Sequence, residues 1–210
     1  MALTAPPHVQ LVCFDLDGTL VDNTVYIWST LHEHFGSDPV RRRRASDAHR
    51  AGRISYEAWF RTDLELLAER GADRAGMIGA LDALVPAQGA TETLHTLKRR
   101  GYKLGLISGS LGLVLEHFFP DAPFDHVFIN QVHFDPQGRI AGGVPTRYDL
   151  AGKADGLAAI ARSEGLTARG CAFVGDNVND LEVMRAAGFS VGVNVKHPRV
   201  AEAADVGLEG

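Results

Sequence analysis

Cysteine is nearly absent from this chain: Cys13 and Cys171 are the only two among 210 residues. No disulfide framework can be built from them, and both fall in apolar runs where free thiols are commonly buried, so a reducing, cytoplasmic setting is expected. Long apolar runs are also missing. None approaches the ~18 residues that a membrane-spanning helix needs. Positive charge is in deficit, with 21 Lys and Arg against 26 Asp and Glu and a formal net charge of −5. That balance disfavours a general nucleic-acid binder, whose affinity comes from basic residues on phosphates. Residues Met1 to His8 lack a basic stretch followed by an apolar one, so no secretory signal is expected. The nine histidines show no metal-ligand spacing, and there is no internal repeat or low-complexity segment. A length of 210 residues allows one α/β core with a modest insertion.

What the chain does have is carboxylates at the ends of apolar runs. Leu11-Val12-Cys13-Phe14 reads as a buried strand and leads directly into Asp15-Leu16-Asp17-Gly18-Thr19. Side chains two apart on a strand point the same way, so Asp15 and Asp17 can reach one substrate atom, one attacking while the other moves a proton. A solvated Asp-Gly turn would look similar. Cys171-Ala172-Phe173-Val174 is a second such run and ends in Gly175-Asp176-Asn177-Val178-Asn179-Asp180. Ligands of open parallel sheets bind beyond the carboxyl ends of the strands, so two adjacent tips would gather Asp15, Asp17, Asp176 and Asp180. Four close carboxylates repel unless a cation lies between them. Oxygen-only ligands favour Mg²⁺, and no paired Cys or His spacing supports zinc.

A third apolar run, Lys103 to Ile107, ends in Ser108-Gly109-Ser110 and passes into a helix expected near Leu111, where free N–H groups could hold an anion. Lys153 opens the helical stretch to Glu164 and could add a point charge to the same anion. With these four segments in order, the chain resembles the haloacid dehalogenase superfamily, most of all its phosphoserine phosphatase branch. The branch likeness extends to Ala87-Gln88-Gly89-Ala90, Phe128-Ile129-Asn130-Gln131 and Gly192-Val193-Asn194-Val195-Lys196, and covers residues 9–21 and 86–208. It implies Mg²⁺-dependent hydrolysis of a small phosphomonoester through an aspartyl-phosphate. Asp15 would be the nucleophile and a metal ligand, and Asp17 the acid and base, binding metal through its backbone carbonyl. Asp176 would ligate the metal and Asp180 support it, while Ser108, Gly109, Lys153 and Asn179 would hold phosphate.

Between the first and second segments the pattern turns helical, over 25–35, 54–67 and 75–84. An all-helical insert at 22–85 is expected, a cap by resemblance, within an α/β doubly wound core of residues 1–21 and 86–210. Matching to the branch places Thr24 where a Glu binds the substrate ammonium, and Asp63 where an Arg binds its carboxylate, with Arg61 a nearby alternative partner. The resemblance therefore implies that neutral or cationic phosphoesters compete well with phosphoserine. Arg41-Arg42-Arg43-Arg44 reads as a solvated face. His32 and His34 read as cap residues, and Tyr26, Trp28, Trp59 and Phe60 could line a substrate pocket, with helical packing the expected use for most of them. A phosphomutase shares these motifs. A dehalogenase would not need Asp17, and a non-catalytic binder should have lost Asp15 or a metal carboxylate.

Overall fold

The computed structural model describes residue 6 and residues 8–209. Most of the N-terminal stretch on which the signal-peptide expectation rests lies outside the described residues.

The chain opens with β1 (Leu11–Phe14), all four residues buried. Its alternate side chains enter different cores: Val12 and Phe14 join one apolar cluster, Leu11 and Cys13 the other. A strand apolar at every position must be covered on both faces, and that makes it a central strand. A short antiparallel ribbon of β2 (Val21–Asp22) and β3 (Val85–Pro86) carries the chain out and back. Between them stand α1 (Ile27–Phe35), α2 (Pro39–Arg50), α3 (Tyr56–Ala68) and α4 (Arg74–Ala80). The sequence pattern missed α2. It has no buried residue, so it carries no apolar period; Asp38 caps it by accepting from the N–H groups of Val40 and Arg41.

The core then alternates. In order come α5 (Ala90–Arg99), β4 (Lys103–Leu111), α6 (Gly112–Phe118), β5 (His126–Phe134), β6 (Ile140–Val144), α7 (Lys153–Ser163), β7 (Cys171–Gly175), α8 (Leu181–Ala186), β8 (Phe189–Val193), α9 (Pro198–Ala203) and β9 (Val206–Leu208). They build a seven-stranded sheet ordered β6-β5-β4-β1-β7-β8-β9. Every pair is parallel except the β5–β6 hairpin. Leu94 of α5 and Val114 of α6 pack on one face together with Ile27, Leu31, Phe60 and Met77 of the insert. Leu157 and Ile160 of α7 and Val183 and Met184 of α8 cover the other. The insert thus shares a core with one side of the sheet.

Register places the site. Phe14 lies level with Leu106 of β4 and Val174 of β7, so the segments that follow these three residues emerge side by side at the carboxyl edge. β4 runs on to Leu111, with a shift in its pairing to β5 after Ile107, so Ser108 to Ser110 belong to an irregular strand end and the helix starts one residue later than expected, at Gly112.

Candidate active site

Three strand ends meet beneath the helical insert and line a cavity of about 680 Å³. From β1, Asp15 continues the sheet by donating its N–H to Val174 O (2.9 Å) and turns its own Oδ1 to the N–H of Leu16 (2.7 Å). Asp17 lies beyond the strand, and its Oδ2 accepts the N–H of Ile27 (2.7 Å), the first residue of α1. No side chain of the loop before α1 caps that helix, so the carboxylate from the core does so. The other oxygen, Oδ1, is buried and makes no well-aligned hydrogen bond among the described residues, although the nearby Ser110 hydroxyl helps to hold the carboxyl pKa down. Burial pushes the Asp17 carboxyl up to about 7, against the pull of the Ile27 N–H.

Gly18 shows why this turn needs glycine. Its φ is +76°, and a Cβ there would stand 2.2 Å from Asp176 Oδ2. Asp176, just after β7, receives a hydroxyl hydrogen bond from Thr19 at 3.3 Å on Oδ1, while its Oδ2 is buried with no partner among the described residues. Its carboxyl is raised to about 8, first by burial and then by Asp15 and Asp180. Asp180 accepts the N–H groups of Asp176 (3.1 Å) and Asn177 (3.3 Å) on Oδ2, and burial raises its carboxyl too. Lys153, fully buried at the start of α7, reaches Asp15 Oδ2 at 2.6 Å and Asp180 Oδ1 at 2.7 Å. Burial alone would lower its ammonium pKa, but the carboxylates of Asp15 and Asp180 outweigh it and raise the value.

Asp15, Asp176 and Asp180 are all buried and offer carboxylate oxygens within 4.8 Å of one another, so the donor set fits a hard divalent cation. Lys153 contacts Asp15 and Asp180, and the charge of Lys196 also acts on Asp176; yet Asp176 Oδ2 has no hydrogen-bond partner among the described residues and is the oxygen most in need of a cation. The side chain of Asp17 does not belong to the cluster; one of its oxygens is held by α1 instead.

Ser108 and Ser110 are both buried, and the Ser110 N–H donates to Ser108 Oγ (3.2 Å), leaving the Ser108 hydroxyl proton free to donate. Gly109 is pressed against Asp149, whose carboxyl atoms would lie 2.3 Å from any Cβ. Asn179 lines the cavity, its Oδ1 without a partner among the described residues.

The family model of haloacid dehalogenase-like hydrolases matches residues 9–188. The chain belongs to this hydrolase family. A phosphoserine phosphatase of Methanocaldococcus jannaschii is 27% identical over 95% of the chain and 92% of that protein. One from Streptomyces coelicolor is 32% identical over 93% of the chain, which spans 46% of that longer protein. A solved phospho-aspartyl intermediate analogue of phosphoserine phosphatase superposes with a TM-score of 0.71 at 26% identity, covering 96% of this chain and 94% of that one.

The residues singled out in the insert depart from expectation. Arg61 is exposed, faces Glu65 one turn on, and does not line the cavity. Thr24 is buried against Thr30 (3.3 Å between hydroxyls) and does not line it either. Asp63 does line it, but not as a lone acid: His32 Nε2 lies at 3.3 Å and Arg42 Nε at 4.0 Å. Arg42 therefore leaves the solvated face assigned to it, because the α2 positions 39, 42, 43, 46, 47 and 50 share one helical face and that face borders the cavity. Arg41, on another face, pairs with Glu69.

A polar network also escaped the sequence. Tyr56 donates to Asp149 Oδ2 (2.7 Å) and accepts from Asn130 Nδ2 (3.0 Å); Asn130 Nδ2 and Trp28 Nε1 both donate to Gly109 O (2.7 and 3.0 Å). Two residues of the insert thereby reach the end of β4. Asp149 also accepts the N–H of Leu150 (2.6 Å) and so caps the short turn before α7, the one local sequence signal it carries.

Proposed function

We propose that this hydrolase is a Mg²⁺-dependent phosphatase of a small phosphomonoester, similar to phosphoserine phosphatases. The observation that carries the proposal is the buried triad of Asp15, Asp176 and Asp180 around Lys153, with Asp17 beside it opening to the same cavity. A cation held by Asp15, Asp176 and Asp180 would offset the negative charge of the phosphoryl oxygens and of the carboxylates themselves. Ser108 Oγ–H, the Gly109 N–H, Lys153 and Asn179 supply the donors for those oxygens, where charge gathers in the transition state.

Asp15 attacks phosphorus through a carboxylate oxygen, and the bond to the alcohol oxygen breaks. Asp17, whose raised pKa near 7 lets it hold a proton at neutral pH, protonates the departing alcohol. It then takes a proton from water as that water attacks the aspartyl-phosphate, freeing inorganic phosphate and Asp15. The hydrogen bond from Ile27 ties Asp17 to the helical residues 22–85, which in this proposal form a cap that excludes water during the first step.

A small phosphorylated metabolite is the partner this site supports, and the net negative charge speaks against nucleic acid. Among the described residues no helix is long and apolar enough to cross a membrane. Cys13 and Cys171 are free and buried, which supports a cytoplasmic setting. The test is mass spectrometry after rapid quenching with a reactive phosphoester and Mg²⁺. A phosphoryl adduct on Asp15 is expected, and an adduct elsewhere would overturn the assignment of roles.

A further inference from the structure

The buried side-chain polar atoms that have no partner among the described residues all belong to residues lining the cavity, and they separate into two groups. Asp17 Oδ1, Ser110 Oγ, Asp176 Oδ2 and Asn179 Oδ1 stand at the phosphoryl end. The others are on α1 and α3 of the insert: both ring nitrogens of His32, Asp63 Oδ1 and Trp59 Nε1. His32 is 4% exposed and Asp63 3%, and their facing atoms, 3.3 Å apart, lack the alignment of a hydrogen bond. Buried polar groups are normally satisfied, so a cluster of unsatisfied ones on a cavity wall marks where a ligand completes them.

The chemistry of this second group limits the ligand. Trp59 Nε1 can only donate, Asp63 as a carboxylate can only accept, and His32 does either according to its tautomer. The surrounding charge is balanced: Arg42, Arg43 and Arg50 face Glu33, Asp47 and Asp63 around the insert side of the cavity. A carboxylate drawn to the arginines meets Asp63, and an ammonium drawn to Asp63 meets Arg42, whose Nε already lies 4.0 Å from that oxygen and whose guanidinium is anchored on Ser29 Oγ (3.3 and 3.4 Å). Hydroxyl groups both donate and accept without net charge. Trp28, stacked on His32 and edge-on to Phe60, adds flat apolar surface that suits the C–H faces of a polyol.

We propose that the insert wall formed by His32, Asp63 and Trp59 is a subsite for the hydroxyl-bearing, uncharged alcohol portion of the substrate, so that the physiological ester is a polyol or sugar phosphate. The proposal rests on the phosphomonoesterase reading above. It narrows the sequence expectation, which left cationic esters open: the arginines of α2 stand against them.

The test is a comparison of kcat/KM on the Mg²⁺-loaded full chain. Acetyl phosphate, which carries no hydroxyl group on its organic part, serves as the reference beside glycerol 3-phosphate, a hexose 6-phosphate, phosphoserine, phosphoethanolamine and phosphocholine. The polyol and sugar esters should exceed each charged ester by about tenfold or more. Trp59→Phe keeps the ring and removes one donor, and Asp63→Asn keeps the shape and removes the charge. Each should raise KM for the preferred polyol ester about tenfold, with a smaller change in its kcat and a smaller change in KM for acetyl phosphate. Preference for phosphoserine or for a cationic ester overturns the proposal. So does an equal loss on acetyl phosphate and the polyol ester, which would mean that these residues serve only the fold. Absence of turnover on every one of these compounds, the acyl phosphate included, would instead remove the phosphatase reading on which the proposal stands.

Discussion

Lys153 shows how closely stability and chemistry are joined at single residues. Among the described residues it is the one cation in contact with both Asp15 and Asp180, at 2.6 and 2.7 Å, and it is fully buried. Lys153→Met should abolish turnover and, in chelator at pH 8, cost about 3–5 kcal/mol of stability, because two buried carboxylates then face each other unpaired. Added Mg²⁺ should restore part of the loss, as urea melts with and without the ion will show. The carboxyls make a second prediction. Asp17 near 7 and Asp176 near 8 hold protons more tightly in the folded chain than in the unfolded one, where about 4 is usual. From about pH 4 to 8 the unfolded chain therefore binds fewer protons, and this contribution to stability falls as pH rises. The metal-free protein should lose Tm between pH 5 and 8, and Asp176→Asn should flatten the slope. A slope unchanged by that substitution would contradict the assignment.

At the scale of elements, the helical insert is fastened to the carboxyl edge of the sheet by hydrogen bonds rather than only by packing. Three of its helices carry their own side-chain caps, from Asp38, Ser55 and Asp73. The fourth, α1, takes Asp17 instead. Asp17→Ala should thus destabilise the fold by about 1 kcal/mol more than Asp17→Asn, which keeps an acceptor for the Ile27 N–H, and chemical denaturation will measure the difference. Tyr56 of α3 and Trp28 of α1 converge on the Gly109 carbonyl, Tyr56 through Asn130. That carbonyl shares a rigid peptide plane with the Ser110 N–H, which holds Ser108 Oγ. Tyr56→Phe removes one hydroxyl and little packing. It should lower kcat about tenfold and weaken inhibition by orthophosphate, with Tm within a few degrees of the parent protein.

At the scale of the whole molecule, the parallel sheet puts β1 between β4 and β7, and that order alone brings together residues up to 165 positions apart, Asp15 and Asp180. Gly18→Ala tests how tightly the strand ends are packed: a side chain at φ +76° and 2.2 Å from Asp176 should abolish turnover and lower Tm. The core strands and the short acid, hydroxyl and lysine segments were legible in sequence because each is local: an apolar run buried on both faces, then a turn carrying polar groups. The α7 lysine could be suspected but its burial could not, since that depends on two carboxylates supplied by other strand ends. The insert was legible only as helical. α2 has no apolar face and so no period to detect, and Arg42, Arg43 and Arg50 gain meaning only when the helix is laid along the cavity. Arg61 shows the same dependence in reverse, since its helix turns it to solvent beside Glu65 and away from the cavity. The sequence by itself determined the α/β class, the insert and the carboxylates at strand ends, because hydrophobic period and turn chemistry act over a few residues. Which side chains of the insert face those carboxylates was decided by tertiary structure, because helix orientation follows from packing against a core made by distant segments.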